Sequence, residues 1–414
     1  MIINDSSKKE NDIPLINKDK NNNILEVSPK MRTIIVFSLI SSLLLMITIS
    51  FMIALTLDKK DSNKPKTEKK KNYIFAKYNE EDRVEVRLIN YKYVDFISSI
   101  RVDDVEIPKI SNTILFNLSG LHKVEIFFKK ELNSTAQMFE YCSKLTEIDL
   151  STLETKNLKN MEEMFFYCES LTSINFGNFN TKKVINMKGL FFGCLLLNSL
   201  NLTNFDTSNV EDMSRMFSDC ESLPVLDITN FKTSKVKNMD KMFYNCYSLQ
   251  SINLNNFDTS KVVSMEGMFD LCCSINNINI KNFDTSQVTV MSYMFGANSL
   301  LKSIDLSNFN TGNVNKMINM FYGCETLTNL NLSNFDTSKV EYMGEFFGRC
   351  SNLKKIDISN FYSKNLKEKK NLFNEIYPEG GEIYFNSNKF DINLFNYSSL
   401  ENWTIFDITK DNKI

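Results

Sequence analysis

The sequence has few of the side chains on which most catalytic and metal sites depend. Its 414 residues include one histidine (His122), one tryptophan (Trp403), 12 glycines and 6 prolines. A single imidazole gives little scope for zinc binding or for acid–base chemistry near neutral pH. The sequence also lacks a Ser–His–Asp arrangement, a glycine-rich phosphate loop and a Cys-x-x-Cys pair. We therefore expect no enzymatic activity, no cofactor and no metal ion.

An excess of charge of either sign is also missing. There are 48 basic and 50 acidic residues, which gives a net charge of −2. A protein that binds nucleic acid needs a positively charged surface, so we expect no nucleic-acid partner. Hydrophobic residues make up 43% of the chain, which is ample for a folded core. The length is too great for one ordinary compact core and indicates several domains or a repeat array.

One long hydrophobic run interrupts this pattern. Residues 33–57 form a stretch of 25 residues without a charge, and a helix of that length measures about 37 Å, enough to cross a bilayer. The arm of residues 1–32 is too long and too mixed in charge for a signal peptide, and no small-x-small cleavage site follows. We expect a disordered arm at 1–32, a single-pass membrane anchor at 33–57 and a charged tether at 58–72.

The charges around this run leave its orientation open. Four basic residues precede it between positions 18 and 32, and seven lysines follow it between positions 59 and 71. The lysine bias alone would place the C-terminal side in the cytoplasm. A domain of more than 300 residues, however, crosses the membrane largely regardless of such charges. We expect the larger part of the chain to be extracellular, with a cytosolic location as the alternative.

A repeat of 26 residues fills the middle of the chain. Cysteines recur at this spacing, and Asn298 occupies the same register in one copy: Cys142, Cys168, Cys194, Cys220, Cys246, Cys272, Cys324 and Cys350. Phenylalanine stands three positions before this column in all nine copies. Methionine stands seven positions before it in eight copies, and Thr135 is the exception. Nine copies without an insertion predict a repeat solenoid.

The unit that begins at Asn204 combines two periodicities. Its first half has apolar residues at i, i+3, i+6 and i+7, the pattern of a short helix: Val210, Met213, Met216 and Phe217. The side chains of residues 206–208 stand just before and could cap that helix. The second half has the Leu-x-x-Leu-x-Leu spacing of a short strand, in Leu223, Leu226 and Ile228.

Stacking these units gives the predicted fold class, an α/β repeat solenoid with one short helix and one short parallel strand in each unit. One unit cannot bury its own apolar residues, whereas nine stacked units bury continuous columns. The strands are expected to form one parallel sheet along the array. We place the solenoid at residues 135–373, a β-rich capping module at 73–134 and a C-terminal cap at 374–414.

The repeat resembles that of BspA-type leucine-rich-repeat surface proteins. The shared pattern is L-x-x-[LI]-[DN]-[LI]-x-N-F-[DN]-T-S-x-V-x-x-M-x-x-M-F-x-x-C, which covers about residues 138–361. The resemblance implies a leucine-rich-type solenoid displayed at the cell surface and adhesion to host or matrix proteins. The chain differs from bacterial members of that family in lacking a lipoprotein or sortase signal.

Three polar columns invite either a structural or a chemical interpretation. The stacked cysteines could form disulfides, but all share one side-chain direction, so a ladder of buried free thiols is the simpler interpretation. Cys273 is the only cysteine outside the register and the candidate for a reactive thiol. The Asn that recurs every 26 residues from Asn178 to Asn360, each time followed by Phe, is expected to bond turn backbone. An Asp/Asn row, from Asp149 to Asp357, is expected to be solvated strand surface, with a calcium ladder as the alternative.

The outward positions of the strands supply the candidate binding site. They form a polar, nearly uncharged face without aromatic residues, and its members are Thr172, Asn198, Gln250, Asn276, Lys302, Thr328, Lys354 and Lys355. A long polar face suits broad contact with a protein ligand. We expect a membrane-anchored surface protein for adhesion or protein recognition. The alternatives are a cytosol-facing scaffold and a structural coat without a specific ligand.

Overall fold

The computed structural model describes residues 16–18, 25–27, 72–81, 84–367, 372–376, 380–395 and 400–410. Within it, the chain divides into two compact units, Met1–Lys69 and Lys70–Ile414. The second unit is a β-solenoid of about ten turns with almost no helix. It carries all of the side chains discussed below.

The first unit contains two short described strands. These are β1 (Ile16–Lys18) and β2 (Leu25–Val27), which pair antiparallel. The rest of the arm predicted at residues 1–32 lies outside the described residues. The anchor predicted at residues 33–57 lies outside the described residues, as does the tether up to residue 71. Among the described residues, no helix is both long and apolar enough to span a bilayer.

The second unit begins with a small β module. In chain order its described strands are β3 (Tyr73–Glu80), β4 (Glu85–Arg87), β5 (Ile97–Val102), β6 (Val105–Glu106), β7 (Thr113–Leu115) and β8 (Gly120–Phe128). A 3₁₀ helix at Tyr91–Phe96 links β4 to β5. Every second residue of β3 is buried, as the alternation of apolar and polar residues predicts.

This module closes the first coil of the solenoid. The first solenoid strands are β9 (Leu145–Asp149) and β10 (Ser173–Asn175), and the sheet order is β10-β9-β3-β8-β5-β6. Strand β3 lies between β8 and β9 and runs antiparallel to both. The edge of the first coil is therefore paired, which keeps its backbone groups and apolar interior from water.

The strand expected in every unit forms in only part of the array. Besides β9 and β10, parallel pairs join β11 (Val225–Leu226) to β12 (Ser251–Ile252) and β13 (Asn329–Asn331) to β14 (Lys355–Asp357). The equivalent residues 199–201, 277–279 and 303–305 form no strand. The prediction of one sheet along all nine copies is therefore wrong. Between residues 199–201 and β11 the break has a chemical reason. Pro224, just before β11, has no N–H to donate to the preceding copy.

A ribbon of turns, and not a helix, forms the other side of each coil. In one unit, the N–H groups of residues 213, 215, 217 and 219 donate to carbonyls of residues 238, 240, 242 and 244 in the next coil, over 2.8–3.1 Å. Parallel bridges continue this ladder through every copy, from Ser134 to Tyr342. The predicted helix is wrong because a helix would direct each N–H to a carbonyl four residues earlier in the same segment. We call residues 213–220 and their equivalents the turn ribbon.

Two residues per coil with left-handed backbone create the ribbon. Arg215 and Asp219 have φ angles of 56° and 57°. Each is the third residue of a turn that is closed by a hydrogen bond to the residue three positions back, the arrangement of a type II turn. The equivalent residues of the other coils also have positive φ. None of them is β-branched, which fits the high cost of this conformation for β-branched side chains.

Buried apolar columns run along the inside of the coils. The repeated phenylalanine rings stack from Phe139 to Phe373, with neighbouring centroids 5.2–6.5 Å apart. The methionines of the repeat are also fully or almost fully buried. Each coil therefore depends on its neighbours for burial of its own core, as in other solenoids.

The last coil is followed by two more parallel strands. These are β15 (Gly381–Phe385) and β16 (Trp403–Asp407), and the sheet order is β13-β14-β15-β16. A 3₁₀ helix at Ile392–Leu394 lies between them in the chain. Leu400 and Trp403 are buried at this end, so the C-terminal segment covers much of the final apolar layer.

Candidate recognition surfaces

The cysteine column bonds one coil to the next. Cys246 Sγ donates to Phe217 O of the preceding coil at 3.2 Å, and Asn298 Nδ2 makes the same contact to Phe269 O at 2.9 Å. All cysteines in this register are free and buried, so the predicted ladder of buried thiols is confirmed. Asn298 replaces a thiol without loss of the hydrogen bond because its amide supplies the same donor.

Cys273, the candidate reactive thiol, is only half-buried. Its Sγ donates to Ala297 O at 3.3 Å. Burial raises the pKa of this thiol, and the nearby carboxylate of Asp270 adds to the shift. A raised pKa lowers the fraction of thiolate, which is the reactive form. The surroundings of Cys273 therefore do not activate it.

Asparagine and threonine columns close the bends. Asn256 Nδ2 donates to Ile228 O at 3.2 Å and to Phe231 O at 2.5 Å in the preceding coil, which confirms the expected bonds to turn backbone. The threonine column was not predicted to join coils. Thr233 Oγ1 donates to Asp258 O at 2.9 Å and accepts from Asp258 N–H at 2.8 Å. Its 26-residue recurrence was the signal that could have revealed this role.

The Asp/Asn row shapes the turns that follow the strands. Asp227 Oδ1 accepts the N–H of Thr229 at 3.1 Å, and Asp305 Oδ1 accepts that of Ser307 at 3.1 Å. Asx turns of this kind require Asp or Asn, so they explain the residue types of the row without the calcium ladder. Within the described part of the chain, no group of three His, Cys, Asp or Glu side chains is placed to hold a metal ion.

The predicted binding residues lie along one side of the coils, which we call the strand face. It comprises the outward positions of β9 to β14 and of the equivalent residues in the other coils. Six of the eight candidates are exposed, namely Asn198, Gln250, Asn276, Lys302, Lys354 and Lys355, whereas Thr172 and Thr328 are half-buried. Lys355 Nζ lies 5.0 Å from the ring centre of Tyr384 and 3.8 Å from Glu382 Oε2. The C-terminal cap therefore offsets part of the positive charge expected there.

A cleft opens in the strand face where the strands are missing. It has a volume of about 370 Å³ and lies between residues 277–281 and 303–305. Lys281 and Asp305 face each other there, with Nζ and Oδ2 3.2 Å apart. The cleft is polar, and its charged groups already neutralise each other. It offers hydrogen-bonding groups to a ligand but little apolar surface.

A different surface lies on the turn ribbon near the N-terminal end. Four aromatic rings form the aromatic cluster: Tyr141, Phe166, Tyr167 and Phe192. Ring centroids lie 5.7 Å apart for Tyr141 and Tyr167 and 4.9 Å apart for Phe166 and Phe192. Tyr141 is 50% exposed. This is the most aromatic part of the described solenoid surface, and the sequence analysis missed it.

The missed signal was the 26-residue spacing of aromatic residues. Tyr141 and Tyr167 stand one position before the cysteine column, and Phe166 and Phe192 stand two positions before it. In a helix these two columns would lie on different parts of the surface. In the turn ribbon they stack on neighbouring coils and form one patch.

Further along the turn ribbon, a carboxyl group is partly buried. Burial raises the pKa of Asp270 to about 6, although Lys241 acts in the opposite direction. A Cβ atom on Gly296 would lie 2.6 Å from Asp270 Oδ1, so any larger residue at this position would require the carboxylate to move. On the strand face, by contrast, hydrogen bonds from Ser307 lower the pKa of Asp305.

The N-terminal module contains an apolar pocket beside the single histidine. The pocket has a volume of about 310 Å³, and Phe116 and His122 contribute to its lining. The imidazole stacks on Phe116 at 4.0 Å. Its Nδ1 lies 2.7 Å from Asp103 Oδ2, and its Nε2 lies 2.8 Å from Leu118 O. Because both ring nitrogens are engaged, this histidine is not free to act as a metal ligand or general base.

These observations define a repeat β-solenoid that presents its outer faces for contact. Comparison with known families then places the chain. Residues 133–251, 224–305 and 296–406 match the family described as "Mycoplasma protein of unknown function, DUF285". The matches cover more than half of the chain, so the chain belongs to this family. No curated protein and no solved structure gives a significant match.

Proposed function

We propose that the chain is a non-enzymatic recognition protein that binds a protein ligand through the surface of its solenoid. The observation that supports this most is the aromatic cluster. Its rings are exposed or half-buried, and the hydrogen bonds that join the coils do not depend on them, because the same bonds form in copies without aromatic residues there. Tyrosine and other aromatic anchors supply much of the binding energy at protein interfaces.

The proposal includes display at the cell surface. The repeat pattern resembles BspA-type surface proteins, and the apolar run at residues 33–57 is long enough for a single-pass anchor. The ligand is then a host, matrix or cell-surface protein, and the function is adhesion or recognition. The mechanism is multivalent surface contact without covalent chemistry.

The test compares the two faces in one binding assay. Full-length protein is applied to an immobilised panel of extracellular-matrix proteins. We expect the variant Tyr141→Ala/Tyr167→Ala to bind at least tenfold more weakly, since the loss of interface anchors costs about 2 kcal/mol or more. Tyr91→Ala is the matched control, because Tyr91 is 74% exposed but lies on the β module.

The strand face supplies the competing variant. If Lys302→Ala/Lys354→Ala weakens binding and the tyrosine variant does not, the contact lies on the strand face. If the wild-type protein binds none of the matrix proteins, the adhesion proposal fails, and a structural coat becomes the better account.

Membrane orientation needs a separate experiment. An impermeant protease added to intact cells should remove a C-terminal epitope if the solenoid is outside. Protection of the epitope until the cells are permeabilised would instead support a scaffold tethered on the cytosolic side.

A further inference from the structure

Among the described residues, the last strand at the C-terminal end of the solenoid is paired on one side only. Strand β16 pairs with β15 on one side, and no other described residue pairs with it. Residues 403–406 include no charged side chain and no proline, so most of the strand lacks the devices that usually prevent edge pairing. We propose that two copies of the chain associate through their β16 strands, which run antiparallel about a two-fold axis at Ile405.

The hydrogen bonds of β16 leave the required groups available. The N–H of Ile408 donates to Phe385 O at 2.9 Å. Because backbone direction alternates along a strand, the even-numbered residues bond to β15, and the odd-numbered residues direct N–H and C=O outward. Ile405 then exchanges two hydrogen bonds with Ile405 of the second copy.

The ends of the strand fit the same register. The N–H of Trp403 already donates to Leu400 O at 2.9 Å, and the carbonyl of Asp407 already accepts from Lys410 N–H at 3.1 Å. The carbonyl of Trp403 and the N–H of Asp407 remain available for hydrogen bonds to a second copy. In the proposed register, the Trp403 carbonyl of one copy faces the Asp407 N–H of the other, so one hydrogen bond forms at each end of the interface.

The side chains also match. In this register, Thr404 of each copy lies opposite Phe406 of the other copy. Such pairs of aromatic and β-branched side chains stabilise antiparallel strands. It places Trp403 opposite Asp407. Trp403 Nε1 and Asp407 Oδ2 are buried without a hydrogen-bond partner, although Lys410 Nζ lies 3.4 Å from that oxygen. A donor and an acceptor that each lack a hydrogen-bond partner therefore become cross-strand neighbours.

The opposite end of the solenoid explains why association stops at two copies. There the first coil is covered by β3, which is paired on both sides. The last strand of that sheet, β6, has only two residues, and such short edges pair poorly. A head-to-tail chain is thus blocked, whereas a tail-to-tail contact is self-complementary and closed.

Cysteine cross-linking tests the register in the full-length protein. Residues 404 and 406 would form non-hydrogen-bonded pairs, with Cα atoms about 4.5 Å apart, which is within the range for a disulfide. The double variant Thr404→Cys/Phe406→Cys should form a reducible dimer under mild oxidation. Thr404→Cys and Phe406→Cys alone should give at least fivefold less dimer, because neither thiol meets a second one. Equal cross-linking by a single variant, or none by the double variant, would overturn the proposal.

Trp403 provides a second readout without a new cysteine. It is the only tryptophan of the chain, so its fluorescence reports on this end alone. One short strand pair makes a small interface, and we expect the emission to shift on about hundredfold dilution through the micromolar range. Thr404→Lys, which adds a charge to the edge, should abolish this dependence. Emission that does not change with concentration, together with a monomeric mass at the highest concentration, would contradict the dimer.

Discussion

The turn ribbon and the strand face belong to the same coils but join them in different ways. In the ribbon, alternate N–H groups bond to the next coil throughout the array. On the strand face, parallel pairing is interrupted at residues 199–201, 277–279 and 303–305. The difference shows that the backbone ladder of this solenoid resides in turns with left-handed residues, and that its strands are locally dispensable.

The two faces also differ in what they offer to a partner. The strand face is polar, and its cleft contains an internal ion pair between Lys281 and Asp305. The ribbon face carries the aromatic cluster and the partly buried Asp270. Rigid aromatic groups give more binding energy for each contact than solvated amides and lysines do. The ribbon thus combines the regular backbone with the more aromatic surface.

The largest effect that would separate the faces is the loss of a stacked ring beneath the ribbon. Phe217 is fully buried and stacks on Phe191 and Phe243 at 5.6 and 5.8 Å. Phe217→Ala should reduce the free energy of unfolding by about 3–5 kcal/mol. Val225→Ala on the strand face, where Val225 is 63% exposed, should change it by about 0.5 kcal/mol or less. Urea unfolding of both variants checks this, and similar losses would refute the contrast.

The pH dependence of the two carboxylates should have opposite signs. The pKa of Asp270 is raised from 3.8 to about 6, so its favourable contribution is present below pH 4 and is lost as pH rises through 6. The contribution of Asp270 to the free energy of unfolding therefore falls by about 3 kcal/mol at most between low and high pH. Asp270→Asn should therefore be more stable than wild type at pH 7 but similar at pH 4, as measured by urea midpoints.

Asp305 is the control for that experiment. Its lowered pKa means that its contribution is present above pH 4 and is lost as pH falls. Asp305→Asn should therefore not gain stability at pH 7 relative to wild type. If Asp305→Asn gained as much stability at pH 7 as Asp270→Asn, burial of the carboxylate on the ribbon would not be the cause of the gain.

A smaller effect distinguishes the turn ribbon from a helix directly. Arg215 has a φ of 56°, which valine adopts only at a cost of about 1–2 kcal/mol, whereas glycine adopts it freely. Arg215→Val should destabilise the protein, and Arg215→Gly should not. In a helix, glycine would be the worse substitution, by about 0.5 kcal/mol relative to valine. Thermal unfolding of the pair therefore gives opposite orders for the two conformations.

The smallest effect is expected at the exposed charge ladders. Lys237 Nζ lies 2.7 Å from Glu211 Oε2 of the preceding coil, with both side chains more than half exposed. Solvent screens such pairs, so Lys237→Ala should leave the urea midpoint of unfolding almost unchanged. If Lys237→Ala lost more stability than Arg215→Val, the surface charges, and not the turn ribbon, would join the coils.

The sequence predicted the features that depend on repetition. Identical residues at a fixed spacing must stack in a solenoid, so the buried column of Cys246 and the turn-bonding column of Asn256 were assigned correctly. Residues that repeat at this spacing stack in buried columns whether the segment that carries them is a helix or a ribbon. The solenoid could therefore be inferred before its backbone conformation was known.

The sequence did not reveal how the backbone reaches those columns. Spacing of i, i+3 and i+7 fits both a helix and two consecutive turns, and the left-handed positions are rarely glycine: Arg215 and Asp219 give no local signal for positive φ. The aromatic cluster was missed for the same reason. Tyr141 and Phe166 share a surface only because the segment is a ribbon, whereas the predicted binding residues on the strand face stay a prediction.

Hydrogen exchange of backbone amides tests the central claim most directly. We expect the N–H groups of Arg215, Phe217 and Asp219, which donate to the next coil at 2.8–3.0 Å, to exchange slowly in the native protein. The amides of residues 303–305, which form no strand, should exchange faster by orders of magnitude. Slow exchange throughout the strand positions together with fast exchange in the ribbon would contradict the account and restore the strand sheet as the structural ladder.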